Sequence, residues 1–369
     1  MSASAPIPFI DLRPGDDAAA VRHAIDRVVA SGWFVLGPEV ERFEAAFAAA
    51  CAAPSAIGVA SGTDAISLAL RALDIGAGDE VIVPAMTAAY TGLAVIATGA
   101  RPVIVDVERD TLTIDPAACA AAVTSRTRAI VPVHLYGQPA NMAAVRLVAE
   151  RHSLAIVEDC CQAHLATETG VPVGTRSDAA AFSFYPTKNL GALGDGGAVI
   201  TGTASLADRI RRLRNGGMSR RYYHAEAGVN SRLDELQAAV LAARLPRLAE
   251  WTARRRTLAA IYRHELPPWI SPVRERDPGH VYHLFAVRVP DRDVLRSHLD
   301  AAGIETLIHY PFALTEQPAF SPFGSGACPV AEAAARDVLS LPLYPRLTDQ
   351  DAIRVAREVE ACWKGQRPA

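Results

Sequence analysis

Short apolar runs alternate with amphipathic stretches from about residue 55 to residue 201. AIGVA (56–60), EVIVP (80–84), RPVIVDV (101–107), RAIVPVHL (128–135) and LAIVED (154–159) predict buried strands. Between them SGTDAISLALRAL, TGLAVIATG and NMAAVRLVAERH carry apolar residues at helical spacing. Such alternation predicts a mostly parallel sheet with helices on both faces. AAAFSF (179–184) and GAVIT (197–201) complete a seven-stranded sheet, and residues 204–215 and 231–265 predict helices. PPW and SPVRERDPG (267–279) are turn-rich and mark a boundary. Beyond it HLFAVRV (283–289), a helix near 292–302, ETLIHY (305–310) and helices near 330–339 and 348–363 predict a smaller α+β domain. The expected division is therefore a large domain over 1–266 and a small one over 267–369. Residues 1–50 hold two helical patterns split by SGWFVLGPE and are expected to pack across both domains.

Composition narrows the function classes. At 369 residues, 50% hydrophobic and 21% charged, the chain is globular and large enough to bury a sizeable core. A net charge of −3 gives no electrostatic reason to expect a nucleic acid or a membrane surface as partner. No apolar run approaches the roughly 18–20 residues of a membrane span. The N-terminus, MSASAPIPFIDLRPG, lacks the basic and apolar regions of a signal peptide. The six cysteines form no CxxC pair and no zinc spacing. A reduced, cytoplasmic protein is the expectation.

One count is unusual. Of 37 Lys+Arg, only Lys188 and Lys364 are lysine, so lysine chemistry in the body of the chain falls on Lys188. Codon bias toward arginine is the plain explanation for the scarcity. Lys188 lies in AAAFSFYPTKNLGALGDGGAVIT, after a buried strand and before a glycine-rich segment. A desolvated lysine lowers its pKa and becomes a nucleophile toward carbonyls. Alone it reads more readily as an ordinary surface lysine at a strand end.

Two further motifs change that reading. In IVEDCCQAH (156–164), Asp159 closes an apolar strand at the carboxyl edge where open α/β sheets bind ligands. A carboxylate there can pair with a protonated pyridine nitrogen such as that of pyridoxal phosphate, and Gln162 can reach the same cofactor's phenolic oxygen. An aspartate at a strand end is also an ordinary helix cap. In ASGTDAISLAL (60–70), Gly62-Thr63 opens a helix whose first N–H groups suit a phosphate. Taken alone, Ser61-Gly62-Thr63 is a common N-cap; Ser183, five residues before Lys188, offers another phosphate donor.

The order loop, Asp, Ser, Lys resembles the DegT/StrS-type sugar aminotransferases, PLP-transferases of fold type I (the aspartate-aminotransferase fold). The resemblance runs the length of the chain, through FIDL (9–12), SGWFVLGPEVERFE (31–44), SGTDAI, VEDCCQAH, SFYPTKNLGALGDGG, NSRLDELQAA (230–239) and IHYP (308–311). It implies that Lys188 attaches pyridoxal 5'-phosphate covalently and shuttles protons, and that Asp159 keeps the pyridine nitrogen protonated. It implies that Gln162 lies beside the phenolic oxygen, and that Gly62, Thr63 and Ser183 hold the phosphate. Asn230 matches a phosphate contact from the neighbouring subunit, so the resemblance implies a homodimer with shared sites. Asn230-Ser231 is equally the N-cap of the following helix.

Three stretches depart from the family's pattern. VPAMTAAYT (83–91) has Ala88 where the family carries an aromatic ring stacked on the cofactor, with Tyr90 two residues on as a possible substitute. Leu165 stands where glycine is commoner, and FALTEQPAF (312–320) replaces a Pro-x-His-type stretch. Arg220, Arg221 and Tyr310 are candidates for the substrate's diphosphate, Arg232 for the donor's carboxylate or a brace at a helix start. His164, His280 and His283 lack a third ligand at metal spacing and read as structural.

The resemblance implies transfer of an amino group from glutamate, through the pyridoxamine phosphate form, to a nucleotide-linked keto-deoxyhexose. YPTKNLGALGDGG is most similar to members acting at carbon 3 of dTDP-3-keto-6-deoxyhexoses. A keto-cyclitol such as scyllo-inosose is the alternative substrate, and a non-catalytic sensor on the same scaffold the alternative class. The family's dehydratases carry histidine where Lys188 stands, which sets them aside. A dinucleotide dehydrogenase would need its glycine fingerprint after the first strand, whereas GALGDGG comes late.

Overall fold

The computed structural model describes residues 5–324 and 326–364. Helices α1 (Ala18–Ser31) and α2 (Pro38–Ala50) precede β1 (Ser55–Val59). There follow α3 (Gly62–Ala72), β2 (Glu80–Pro84), α4 (Ala89–Ala97), β3 (Arg101–Val105), α5 (Pro116–Ala122), β4 (Thr127–Ile130), α6 (Met142–His152) and β5 (Ala155–Asp159). A small hairpin, β6 (Thr167–Glu168) and β7 (Val171–Pro172), leads to β8 (Ala179–Ser183), β9 (Gly197–Thr201) and α7 (Ala204–Leu213). The central sheet has seven strands in the order β1-β9-β8-β5-β4-β2-β3. Its pairings are parallel from β8 through β3, and β9 runs antiparallel to both of its neighbours. β2 and β9 are buried at every residue, as continuous apolar strands covered on both faces must be.

A second hairpin, β10 (Met218–Arg220) and β11 (Tyr223–His224), precedes α8 (Glu235–Arg244) and α9 (Leu248–Glu265). The pattern over 231–265 predicts one helix, and the structure breaks it. Residues 231–234 are not helical, and Leu245–Arg247 forms a 3-10 turn. Pro246 is the physical reason, because proline has no N–H to donate and its ring crowds the preceding turn.

The remaining elements are β12 (Ser271–Pro272), β13 (Phe285–Arg288), α10 (Arg292–Ala301), α11 (Pro329–Asp337), β14 (Val338–Leu341) and α12 (Asp349–Lys364). Two expectations are corrected here. The helix near 330–339 ends at Asp337, and the fully buried Val338–Leu341 is a strand paired antiparallel with β13. ETLIHY is not a strand: Leu307 makes one isolated bridge to Ser340.

Two of the three large cores bear most directly on the site. One covers the sheet with Ile66, Leu70, Val83, Val131 and Val157. The other gathers Tyr262, Phe285, Leu299, Leu339 and Val355, and recruits Ile7 from the N-terminal segment. α9 joins the two regions, packing Leu248 with the sheet-side residues and Leu258 to Tyr262 into the second core. Lys188 lines a cleft where they meet, with Ile10, Asp11, Asn189, Arg255 and Tyr344.

Candidate active site

Adjacent parallel strands assemble the floor of the site. β5 pairs with β8 so that Asp159 lies opposite Ala181, which brings Asp159 and Ser183 to the same carboxyl edge. The chain then turns, with Lys188 N–H donating to the Tyr185 carbonyl at 2.8 Å. Phe184 N–H bonds to Gly196 O and Ala192 N–H to Phe184 O, so the Lys188 loop is held between β8 and β9. Asn189, the next residue, donates its amide to the Val281 carbonyl at 3.0 Å.

Lys188 keeps part of its exposure through the cleft, yet protein packed around it lowers its pKa by desolvation. The acidic groups of Cys161 and Asp159 oppose that shift in part. Asp159 is buried, and both carboxylate oxygens accept hydrogen bonds: Oδ2 from Thr91 Oγ at 2.8 Å and Oδ1 from Cys161 N–H at 3.1 Å. His164 donates to the Ser183 carbonyl at 2.9 Å, while burial and the Lys188 charge hold its pKa down at about 3. His309 is lowered to about 4 by the same two causes.

Helix α3 closes the far side. Ser61 caps it by accepting from Asp64 N–H at 3.1 Å, which leaves the first N–H groups, at Gly62 and Thr63, without intrahelical acceptors. Gly62 fits because it has no side chain: a Cβ there would lie 2.7 Å from Cys161 Sγ and 2.7 Å from Ser183 Cβ. The helix start is therefore seated directly on the ends of β5 and β8.

Gln162 links the two regions. Its Oε1 accepts from Tyr136 N–H at 2.6 Å, and its Nε2 donates to Tyr310 Oη at 2.9 Å. Tyr136 holds a positive φ of 61° and donates its hydroxyl to the His309 carbonyl. Tyr310, expected near a substrate diphosphate, sits beside Gln162.

Lys188, Asp159, Gln162, Ser183, Gly62, Thr63 and Tyr310 thus gather in one place, and five expected residues do not join them. Arg220 and Arg221 lie on the exposed β10–β11 hairpin, over the rings of Tyr223 and Tyr222 at 4.8 and 5.1 Å. Arg220, Arg221 and Arg232 line a separate cleft with Val35 and Leu36, one that Lys188 does not reach. Asn230 is exposed while the adjacent Ser231 is buried. Ser231 donates to Asp64 at 2.7 Å and accepts from Ala60 N–H, so the chain presents Asn230 away from its own α3. Tyr90 is 65% exposed and follows Ala88, the N-cap of α4. Sequence reasoning missed Thr91 and Tyr136; the threonines at 87 and 91, one helical turn apart, were the available signal for the first.

Strand order, the single antiparallel strand and a desolvated lysine facing a strand-end carboxylate define an α/β enzyme of the fold type I aminotransferase class. The chain belongs to the DegT/DnrJ/EryC1/StrS aminotransferase family, whose model matches residues 16–360. It is 53% identical over 356 residues to the dTDP-3-amino-3,4,6-trideoxy-alpha-D-glucose transaminase of Streptomyces venezuelae, covering 95% of this chain and 94% of that one. It is 49% identical over 362 residues to the erythromycin biosynthesis sensory transduction protein EryC1 of Saccharopolyspora erythraea, covering 96% and 99%. Among solved structures, S. venezuelae DesV in complex with a ketimine intermediate matches with a TM-score of 0.95 and 50% identity, covering 99% of this chain and 100% of that one.

Proposed function

We propose that the protein is a pyridoxal-phosphate-dependent transaminase carrying an amino group from glutamate to carbon 3 of a dTDP-linked 3-keto-6-deoxyhexose. The observation that carries this reading is the desolvated Lys188 at the sheet edge beside a fixed, buried Asp159. The donor set fits the cofactor: an amine, a carboxylate with lone pairs to spare, and a helix start too tight for a Cβ. When bound, pyridoxal phosphate supplies an aldehyde for covalent attachment and a protonated ring that draws electron density from the reacting carbon.

In this reading Lys188 Nζ is the covalent attachment point and carries the proton to and from the substrate carbon, a task its lowered pKa favours. Asp159 pairs with the ring nitrogen. Gln162, locked by Tyr136 N–H, directs an amide hydrogen toward the phenolic oxygen and orients Tyr310. The α3 N–H groups and Ser183 bind the phosphate. Arg220, Arg221 and Asn230 act in the site of a second copy. Exposure of Asn230, and of Trp33, Phe34, Tyr222 and Tyr223 at 50–80%, supports a homodimer assembled through that face. Buried free thiols at Cys51, Cys119 and Cys160 suit the cytoplasm, and among the described residues no helix is long and apolar enough to cross a membrane.

The reading is tested by offering purified holoenzyme glutamate with dTDP-, UDP- and GDP-linked keto sugars and with scyllo-inosose, following the cofactor spectrum and the aminated product. Turnover of the dTDP-3-keto-6-deoxyhexose is expected to exceed the rest. Preference for scyllo-inosose would move the protein to cyclitols, and no turnover of any acceptor would favour the sensor reading.

A further inference from the structure

Asp159 is held by two threonines that the mechanism above leaves without a task. Thr91 and Thr87 are 1% and 2% exposed. A carboxylate oxygen accepts, so the 2.8 Å contact has Thr91 Oγ donating to Asp159 Oδ2. The Thr91 hydrogen being committed there, the 3.0 Å contact between the two hydroxyls has Thr87 donating to Thr91. The result is a one-directional chain, Thr87 to Thr91 to Asp159, ending on the carboxylate oxygen.

Helix chemistry does not require this arrangement. Thr91 occupies the first turn of α4, where a threonine hydroxyl commonly bonds to its own helix backbone. Thr87 lies one residue before the N-cap, Ala88, which makes no side-chain cap. Thr91 instead serves a residue 68 positions along the chain, and Thr87 serves Thr91. With Cys161 N–H on Oδ1 and Thr91 on Oδ2, rotation of the carboxylate is blocked on both sides.

We propose that Thr91, backed by Thr87, is a positioning residue that fixes the Asp159 carboxylate at the angle needed to receive the hydrogen of a protonated pyridine ring. Ala88 makes this angle matter more, since alanine offers no ring to stack on the cofactor face. The inference rests on the reading of Asp159 as the ring-nitrogen partner.

Four variants test it: Thr91→Val, which keeps the shape and removes the hydroxyl, Thr91→Ser, which keeps the hydroxyl, Thr87→Val, and Asp159→Asn as control. A hydrogen bond to a charged group is worth about 1.5–3 kcal/mol, so Thr91→Val is expected to weaken pyridoxal phosphate binding by about tenfold or more in equilibrium titration. Its kcat is expected to fall by a similar factor, with KM for the nucleotide sugar within about twofold of wild type. Thr91→Ser should restore both to within about threefold, and Thr87→Val should show the same pattern at smaller size. If Thr91→Val does not fold, the contrast between Thr87→Val and wild type carries the test. Wild-type cofactor affinity and kcat in Thr91→Val, or in Thr87→Val where that is the working variant, overturn the inference while Asp159→Asn is inactive. Full turnover in Asp159→Asn overturns the reading beneath it as well.

Discussion

The floor of the site, at the carboxyl edge of β5 and β8, and the β10–β11 hairpin hold polar groups under opposite conditions. On the floor, Asp159, Gln162 and Asn189, the neighbour of Lys188, are tied by hydrogen bonds to residues distant in sequence. On the hairpin, Arg220 and Arg221 are exposed and cover the rings of adjacent tyrosines. Groups that must hold a fixed angle to a reacting atom are preorganised inside the chain, while groups on the hairpin stand on its surface. Substitutions on the floor should therefore change chemistry, and substitutions on the exposed face should change assembly.

The largest effect separates the two at once. Lys188→Ala is expected to reduce turnover by about 10⁴-fold or more and to abolish the visible cofactor band, with the molecular mass in light scattering unchanged from wild type. Turnover within tenfold of wild type would remove the distinction between the regions.

Subunit mixing sharpens it next. Lys188→Ala and Asn230→Ala subunits, mixed equally and allowed to exchange, place both defects in one site of each heterodimer and leave the other intact. Recovered activity should approach about a quarter of wild type, the share of intact sites under random pairing. No recovery above the Asn230→Ala baseline, after exchange is verified, would place Asn230 outside the partner's site.

Gly62→Ala probes the seam between α3 and the floor. Its Cβ meets Cys161 Sγ and Ser183 Cβ at 2.7 Å, so α3 must shift; a strain of about 1–3 kcal/mol should weaken cofactor binding roughly tenfold. Cofactor titration at wild-type affinity would show that the helix start does not cradle the phosphate.

Outside catalysis, pH acts on stability. His309 is held at about 4, and His164 and His280 at about 3, from an ordinary value of 6.5. The unfolded chain binds more protons below pH 6.5, so stability is full above that value and falls as pH drops toward the folded values. Each histidine removes about 1.4 kcal/mol per pH unit in this window. Glu158, lowered from 4.5 through His134 and other hydrogen bonds against its burial, adds its loss only below about pH 4.5. The unfolding midpoint should therefore decline already between pH 6.5 and 5, and a flat midpoint there would contradict neutral buried histidines.

The central sheet was legible because parallel strands buried on both faces are continuous apolar runs, and Lys188, Asp159, Gln162 and Gly62 were legible because each sits in a local motif. What escaped depends on partners distant in sequence. Val338–Leu341 continues the apolar spacing of α11 and becomes a strand only because Phe285–Arg288 offers an edge. Thr87 and Thr91 read as one helix face until Asp159 is brought to them. Tyr90, two residues past Ala88, is exposed. Pro246 was visible, and its break of the 231–265 helix could have been expected from proline chemistry alone.

The central claim is that Lys188 is the covalent anchor of the site. Holoenzyme treated with borohydride, digested and mapped by mass spectrometry tests it most directly. A phosphopyridoxyl group is expected on the peptide carrying Lys188, and none on Lys364. An unlabelled Lys188 peptide from protein that has bound the cofactor would contradict it.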